Sequence, residues 1–266
     1  MRFDYQETTE DLQTRIDIHS RYGNRDIDQW MIELLRPAKG SRILDVGCGS
    51  GKQLEAFHRY LDGEVELTGG DINAELLKQA TARKVDLGGD WEIRTLDFNQ
   101  RFPMADGSYD LVSCCFALYY AQDIPRTIGE MNRVLATGGR LFTTGPMPEN
   151  KQLFYEVIRE ATGKPIPPMP GSSRYGSEIL QTIRGRFGKV EVHIFENQLA
   201  FESVGPFLDY TRASLSEDRK LWATFFENKE DFERIMGQIE TVARERLARE
   251  GNLTMTKVVG GFVATK

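Results

Sequence analysis

The sequence predicts an α/β fold built on a doubly wound parallel sheet, and three features support this prediction. Between residues 40 and 146, apolar strand segments alternate with helical segments. The first strand runs into a turn with glycine at every second position, and a helix follows it. The apolar run 111–118 is typical of a strand buried on both faces of a parallel sheet. Strands and helices that alternate in this way indicate a sheet with helices on both faces.

The elements of this region can be assigned in order. Apolar residues at helical spacing predict a helix over 27–35, closed by Pro37 and Gly40. Further helices are expected around Leu54 and Leu61, after the capping residue Asn73, and over 125–135. The five predicted strands span residues 42–46, 65–69, 91–96, 109–118 and 140–144. Sheets of this kind bind ligands beyond the carboxyl ends of their strands, which is where the glycine turn falls.

The pattern changes after residue 145. A helix is expected over 152–162, and the stretch 164–177, rich in Pro, Gly and Ser, is expected to be irregular. That stretch is either a surface crossover or a lid over an active site, and both interpretations stay open. A strand over 189–201, a long amphipathic helix through 232–247 and a strand near 253–265 complete the chain. Two strands that bracket helices predict an antiparallel pair with a helical cap inserted between them.

Composition excludes several classes of function. The 266 residues carry a net charge of −6, which argues against a general affinity for nucleic acid. The three cysteines have no zinc-site spacing, so we expect buried thiols in a reducing compartment and no metal. The longest apolar run is too short to span a bilayer, and residues 1–10 have no apolar core for export. We therefore expect a cytoplasmic protein, a monomer or homodimer, with no membrane or nucleic-acid partner.

Five segments occur in a specific order along the chain: the turn DVGCGSG at 45–51, Asp71, the pair Asp97 and Phe98, the strand over 110–120 and the segment RVLATGG at 133–139. In this order they resemble class I S-adenosylmethionine-dependent methyltransferases. Each is a weak signal alone, but together they are specific, and they cover about residues 40 to 146. The resemblance implies S-adenosylmethionine as the cofactor. It also implies a seven-stranded sheet that is mostly parallel with an antiparallel last strand, to which the carboxyl-terminal pattern adds a helical cap between strands six and seven.

The glycine turn and two acids form the predicted cofactor site. Glycines at alternate positions of the turn let a ligand approach backbone amides at a helix start. Asp45 either faces the ammonium and sulfonium charges of the cofactor or holds the turn by hydrogen bonds. Asp71 follows the turn by the roughly twenty residues that place an acid on a ribose. The alternative role of Asp71 is structural: its carboxylate would lie at the N-terminus of the next helix, where the helix dipole favours a negative charge.

The resemblance assigns further residues to the adenine. Asp97 would accept from the adenine amino group, although an acid that merely forms a turn is the alternative. Ile72 would lie against the adenine face. The predicted cofactor-binding residues are Asp45, Gly47, Cys48, Gly49, Gly51, Asp71, Ile72, Asp97, Phe98 and Phe116.

Candidate catalytic and substrate-binding residues are less well defined. Many relatives carry a histidine pair or similar residues at the end of strand four, whereas this chain has Tyr119 and Tyr120. Methyl transfer needs mainly alignment, and a general base only for a protonated nucleophile. The candidates for catalysis are His19, Tyr22 and Tyr119. The candidates for substrate binding are Tyr120, Arg174, Tyr175, Tyr210 and Arg212.

These interpretations predict a single methyltransferase domain over residues 1–266. It comprises an N-terminal helical lid (1–39), a cofactor-binding core (40–146), a segment with the crossover, strand six and the cap (147–252), and the last strand (253–266). The expected reaction is methyl transfer to O, N or C of a small metabolite. One alternative is a nucleotide-dependent oxidoreductase, whose turn normally reads G-x-G-x-x-G. The other is a catalytically silent S-adenosylmethionine-binding protein.

Overall fold

The computed structural model describes residues 9–214 and 219–266 and divides the chain into two compact units. The sheet unit comprises residues 27–148, 170–195 and 259–266. The helical unit comprises the described part of residues 1–26, together with 149–169 and 196–258. The predicted N-terminal lid is thus divided at residue 26, because the apolar residues of its second helix pack in a core of the sheet unit.

A seven-stranded sheet has the strand order β3-β2-β1-β4-β5-β7-β6. Its strands are β1 (Arg42–Val46), β2 (Glu66–Asp71), β3 (Glu92–Thr95), β4 (Tyr109–Cys115), β5 (Leu135–Pro146), β6 (Lys189–Phe201) and β7 (Leu253–Thr265). Strands β1 to β5 pair in parallel, and β7 runs antiparallel to β5, with Arg140 opposite Thr265. The predicted fold class is therefore confirmed.

Strand β1 lies between β2 and β4, and this placement defines the functional edge of the sheet. Asp45 is paired with Gly69 on one side and with Ser113 on the other. The turn that follows β1 therefore lies between the carboxyl ends of two neighbouring parallel strands. This is the position at which doubly wound sheets bind their ligands.

The helices of the sheet unit cover both faces of the sheet. They are α2 (Ile27–Leu35), α3 (Lys52–Tyr60), α4 (Ala74–Asp86), α5 (Ile124–Val134), α7 (Pro170–Arg174) and α8 (Leu180–Arg186). Ile43 packs in one apolar cluster and its neighbour Leu44 in another, because successive strand residues point to opposite faces. As predicted, Asn73 caps α4, its side chain accepting from the amides of Glu75 and Leu76.

The helical unit has its own apolar core. Its helices are α1 (Thr9–Tyr22), α6 (Gln152–Thr162), α9 (Val204–Ala213), α10 (Arg219–Trp222) and α11 (Lys229–Glu250). Fully buried aromatic side chains dominate the core, among them Phe154, Phe207 and Trp222. The long helix α11 contributes Ile235 and Ile239 from the predicted apolar face.

Several elements differ from the sequence-based prediction; β5, for example, begins at Leu135 instead of residue 140. Strand β4 ends at Cys115, three residues early, because Phe116 adopts a left-handed backbone with φ of 56° and a 3₁₀ turn follows over Leu118–Tyr120. The stretch expected to be irregular contains α7 and a π-helical turn over Tyr175–Ile179. Pro170 is the first residue of α7, and proline is tolerated in a first helical turn since its missing N–H has no helical partner there.

Among the described residues, no helix combines the length and the apolar character needed to cross a membrane.

Candidate functional site

The turn between β1 and α3 presents bare backbone at the carboxyl edge of the sheet. Gly47, Gly49 and Gly51 have φ values of 73°, 52° and 79°, in the left-handed region that favours glycine. The amides of Gly47 and Cys48 both donate to the carbonyl of Gly70, at 2.7 and 3.0 Å, which fixes the turn to β2. A Cβ added to Gly47 would lie 2.7 Å from that of Ala117, so no side chain fits there.

Asp71 ends β2 and its carboxylate bridges two segments of backbone. Oδ2 accepts from the amide of Gly49 at 2.9 Å, and Oδ1 accepts from the amide of Asn73 at 2.8 Å. The side chain thus both holds the turn and stabilises the start of α4. Each carboxylate oxygen has a further lone pair, so the same group can also accept from two ligand hydroxyls.

Apolar side chains are exposed on either side of this turn. Ile72 follows β2 with 68% of its surface exposed, and Phe116 follows β4 with 38% exposed. A left-handed backbone is costly for an aromatic residue and concentrates at functional sites. The amide of Phe116 donates to the carbonyl of Thr144 at 2.9 Å, which holds the residue in that conformation. Two exposed apolar groups beside a bare turn and a carboxylate suit a ligand with an apolar ring and a polar sugar.

The loop after β3 contains Asp97 and Phe98. Oδ1 of Asp97 accepts from the backbone amide and the side-chain amide of Asn99, at 2.9 and 3.1 Å. Oδ2 makes no hydrogen bond with the residues that the structure describes, so it is available to a ligand. The ring of Phe98 would be 3.9 Å from a Cβ on Gly47, which places it against the glycine turn.

Asp45 is buried beneath the turn, with 2% of its surface exposed. Its Oδ1 lies 2.6 Å from the hydroxyl of Ser113, a residue that the sequence reasoning did not select. Burial, with a smaller contribution from the charge of Asp71, raises the pKa of Asp45 to about 7. A carboxyl group buried without a cation next to it favours its neutral form. Burial likewise raises the pKa of the Cys48 thiol, which therefore remains protonated.

Arg174 holds the backbone next to the two tyrosines. Its Nη1 donates to the carbonyls of Tyr119 and Ala121, at 2.9 Å each, and its Nε donates to Glu178 at 3.0 Å. Tyr119 and Tyr120 have ring centroids 4.6 Å apart. These contacts of Arg174 support the turn that carries both tyrosines, whereas the sequence predicted a direct contact of Arg174 with substrate.

Tyr175 is a core residue. The side chain is fully buried, its ring is stacked on Phe262 with centroids 4.5 Å apart, and its hydroxyl donates to the carbonyl of Thr143 at 2.7 Å. Because no part of this side chain is exposed, its burial argues against the predicted contact with substrate.

Replacing Tyr175 by Phe tests this structural role. Loss of the buried hydroxyl leaves the carbonyl of Thr143 without that donor, so we expect Tyr175→Phe to lower the free energy of unfolding by about 1–2 kcal/mol. Affinity for the cofactor that the sequence predicts should be unchanged. Urea unfolding gives the first quantity and calorimetric titration with S-adenosylhomocysteine the second. A variant with wild-type stability and weakened ligand binding would contradict the assignment.

The other predicted residues lie in the helical unit. His19 contacts Tyr210 edge-on, with ring centroids 6.0 Å apart, and Tyr22 packs on Phe201 at 5.2 Å. Tyr210 is fully buried. Arg212 binds Glu233, with 3.3 Å between Nη2 and Oε2. The structure thus groups His19 with Tyr210, and it places both in a different unit from the glycine turn.

Sequence reasoning also left out several residues that the tertiary contacts identify. Ala117 closes over Gly47, and Gly70 accepts both turn amides. Ser113 offered a signal, since it is a polar residue within an otherwise apolar strand. Lys151, almost fully buried, offered none, because lysines are usually exposed.

Comparison with known proteins agrees with this geometry. A family model described as a methyltransferase domain matches residues 44–143. A ubiquinone/menaquinone biosynthesis C-methyltransferase UbiE from Teredinibacter turnerae is 29% identical over 171 residues, 59% of this chain and 69% of that protein. Its counterpart from Psychromonas ingrahamii is 32% identical over 56% of this chain and 62% of its own length. The matches thus span roughly two thirds of these relatives.

A solved structure shares the fold. It is described as a putative methyltransferase from Bacillus halodurans, with a TM-score of 0.58, 18% identity and coverage of 90% of this chain and 98% of that one. The family match over residues 44–143 and the seven-stranded fold together support a class I S-adenosylmethionine-dependent methyltransferase. The same comparisons support S-adenosylmethionine as the cofactor.

Proposed function

We propose that this protein transfers the methyl group of S-adenosylmethionine to oxygen, nitrogen or carbon of a small-molecule acceptor. The observation that carries the proposal is the glycine turn bound to Asp71 at the carboxyl edge of the sheet. At this edge the protein presents glycine backbone, a carboxylate and exposed apolar side chains. These groups suit the amino-carboxypropyl, ribose and adenine parts of the cofactor.

Each part of the cofactor has a candidate partner in the sheet unit. The turn of Gly47, Cys48, Gly49 and Gly51 would hold the amino-carboxypropyl group, with Asp45 beneath it supplying negative charge. Asp71 would accept from the ribose hydroxyls through its remaining lone pairs. Ile72, Phe98 and Phe116 would contact the adenine, and the Oδ2 atom of Asp97 would accept from its amino group.

The cofactor supplies an already activated methyl group, so the protein contributes mainly alignment. Rate comes from holding the acceptor atom in line with the methyl carbon at roughly 3 Å with water excluded. Tyr119 is the candidate in the sheet unit for contact with the reacting groups, on a turn that Arg174 holds in place. His19 and Tyr22 remain candidates for a general base if the acceptor arrives protonated.

The acceptor is proposed to be a small metabolite that segment 147–252 selects. The family match ends at residue 143, so segment 147–252 lies outside the matched core. The curated relatives named above are C-methyltransferases, which makes carbon the first atom to examine. We also propose a reducing, cytoplasmic setting and a monomer or homodimer; the three free cysteines support the reducing setting.

Two measurements test the function. First, S-adenosylhomocysteine should raise the melting temperature, whereas nicotinamide dinucleotides should not; the reverse would favour an oxidoreductase. Second, S-adenosylmethionine labelled at the methyl group should label a compound in a metabolite extract, and mass analysis of that product names the acceptor. Cofactor binding without transfer to any extract would contradict the enzymatic proposal and leave a silent binding protein.

The pH dependence of cofactor binding tests the role of Asp45. A cation bound near this carboxyl group favours its ionised form, so binding below pH 7 releases a proton. We expect affinity for S-adenosylmethionine to rise with pH up to about 7, by at most about tenfold per pH unit, and then to level off. Without cofactor, the raised pKa makes the contribution of Asp45 to stability fall as pH rises from its unfolded pKa through about 7.

Calorimetric titrations between pH 5.5 and 8 measure the pH effect on affinity. Asp45→Asn is the matched variant, because it keeps the shape and removes the titrating group. An affinity that rises equally with pH in Asp45→Asn would assign the effect to another group.

A further inference from the structure

The side chain of Asn99 links the loop after β3 to the segment that leads from β4 into α5. Its Nδ2 atom donates to Oδ1 of Asp97 at 3.1 Å, and its Oδ1 atom accepts from the backbone amide of Gln122 at 2.8 Å. The backbone amide of Asn99 donates to the same oxygen of Asp97, at 2.9 Å. One half-buried asparagine thus connects the carboxylate after β3 with the chain just before α5.

The two partners of the Asn99 amide require the same orientation of that amide. An ionised carboxylate only accepts hydrogen bonds, so the atom that faces Asp97 must be the nitrogen. A backbone N–H only donates, so the atom that faces Gln122 must be the oxygen. Rotation of the amide by 180° would lose both hydrogen bonds. The Asn99 side chain is therefore held in one orientation by two groups of opposite chemistry.

The first turn of α5 is a firm anchor for this link. The side chain of Asp123 caps the helix, and the apolar side of the helix is buried in a core of the sheet unit. Thr127 of the same turn donates to the carbonyl of Phe98 at 3.1 Å. The loop is thus held at its backbone by Thr127 and at its carboxylate through Asn99.

These contacts leave one oxygen of Asp97 for a ligand. Oδ1 accepts both hydrogen bonds from Asn99, and Oδ2 accepts none from the residues that the structure describes. Two donors on Oδ1 restrict rotation of the carboxylate, so Oδ2 keeps one direction. An acceptor that is already oriented binds a donor more tightly, because less conformational freedom is lost on binding.

From this geometry we infer that Asn99 is a positioning residue for recognition of the base of the cofactor. It orients Asp97 so that Oδ2 accepts from the exocyclic amino group of adenine and rejects a base with an oxygen at that position. Such an oxygen would face the carboxylate as a second acceptor, with no proton between them. This role rests on the proposed contact of Asp97 with adenine, and it makes the choice of base depend on a residue that acts through Asp97.

S-adenosylhomocysteine and S-inosylhomocysteine are matched probes, because the base of the second has a carbonyl oxygen in place of the amino group. Wild-type protein should bind the first at least about 100-fold more tightly in calorimetric titrations. Asn99→Ala removes both side-chain hydrogen bonds. Asn99→Asp keeps the acceptor for the Gln122 amide but replaces the donor to Asp97 with a like charge. Each variant should reduce the ratio of the two affinities at least about tenfold, mainly by weakening S-adenosylhomocysteine.

Thr127→Val is the matched control. It keeps nearly the same shape and removes the hydrogen bond to the Phe98 carbonyl, so it loosens the same loop without removing a contact of the Asp97 carboxylate. It should weaken the two ligands by the same factor and leave the ratio of affinities unchanged. A general loosening of the loop affects both ligands alike, so the ratio separates the orientation of Asp97 from stability. Melting temperatures of the ligand-free variants show that each one folds.

A ratio within about threefold of the wild type in either Asn99 variant would overturn the inference and leave Asp97 as the adenine contact. An equal fall of the ratio in Thr127→Val would also overturn it, since the effect would then belong to the loop as a whole. Wild-type protein that binds both ligands equally would contradict the adenine contact of Asp97 and the role of Asn99 with it. Wild-type protein that binds neither would contradict the proposed cofactor site as well.

Discussion

Asp71→Ala should weaken binding of S-adenosylmethionine by at least about 100-fold. The substitution removes both proposed hydrogen bonds from the ribose, and hydrogen bonds to a charged group contribute about 1.5–3 kcal/mol each. It also removes the acceptor of the Gly49 amide, so the glycine turn loses its link to this side chain. Calorimetric titration with S-adenosylmethionine or S-adenosylhomocysteine measures the effect.

Two further variants make this result specific. Asp90→Ala removes a fully exposed carboxylate of the same unit and should leave cofactor affinity unchanged. Asp71→Asn keeps one oxygen that can accept from the Gly49 amide, so it should retain stability better than Asp71→Ala and still bind cofactor poorly. Asp71→Ala with wild-type affinity would remove the ribose assignment and leave Asp71 as a residue that only supports the turn.

Gly47→Ala should abolish measurable cofactor binding. Alanine in the left-handed region costs roughly 1–2 kcal/mol. In addition, the new methyl group would lie 2.7 Å from the Cβ of Ala117, so the turn or the segment after β4 must move. Either movement displaces the backbone on which the cofactor is proposed to lie.

Gly40→Ala separates the two causes. Gly40 has a φ of 77°, close to the 73° of Gly47, but a Cβ there would have no neighbour within 4 Å. This variant should therefore lose a similar amount of stability from strain and keep its cofactor affinity. If Gly47→Ala bound the cofactor within about threefold of Gly40→Ala, close approach of the ligand to this turn would be refuted.

Much of the sheet and most of the proposed cofactor site could be predicted because their signals are local. Strand β6 was predicted with its observed bounds, and the cap at Asn73 follows from the preference of its side chain for backbone amides. The exceptions occur where a local preference was outweighed. Apolar residues continue past Cys115, but the left-handed Phe116 ends β4. Pro170 suggested irregular chain and instead begins a helix.

The sequence alone determined the fold class of the protein, because the glycine turn, the acids that follow it and the order of strands and helices are encoded over short distances. Tertiary structure decided what individual side chains do. Tyr175 and Arg174 share a segment and similar sequence signals, yet one is buried in the core and the other holds a turn by its carbonyls. Lys151, Lys257 and His19 meet at Tyr210 from distant parts of the chain. Such convergence depends on long-range packing, which no pattern of neighbouring residues encodes.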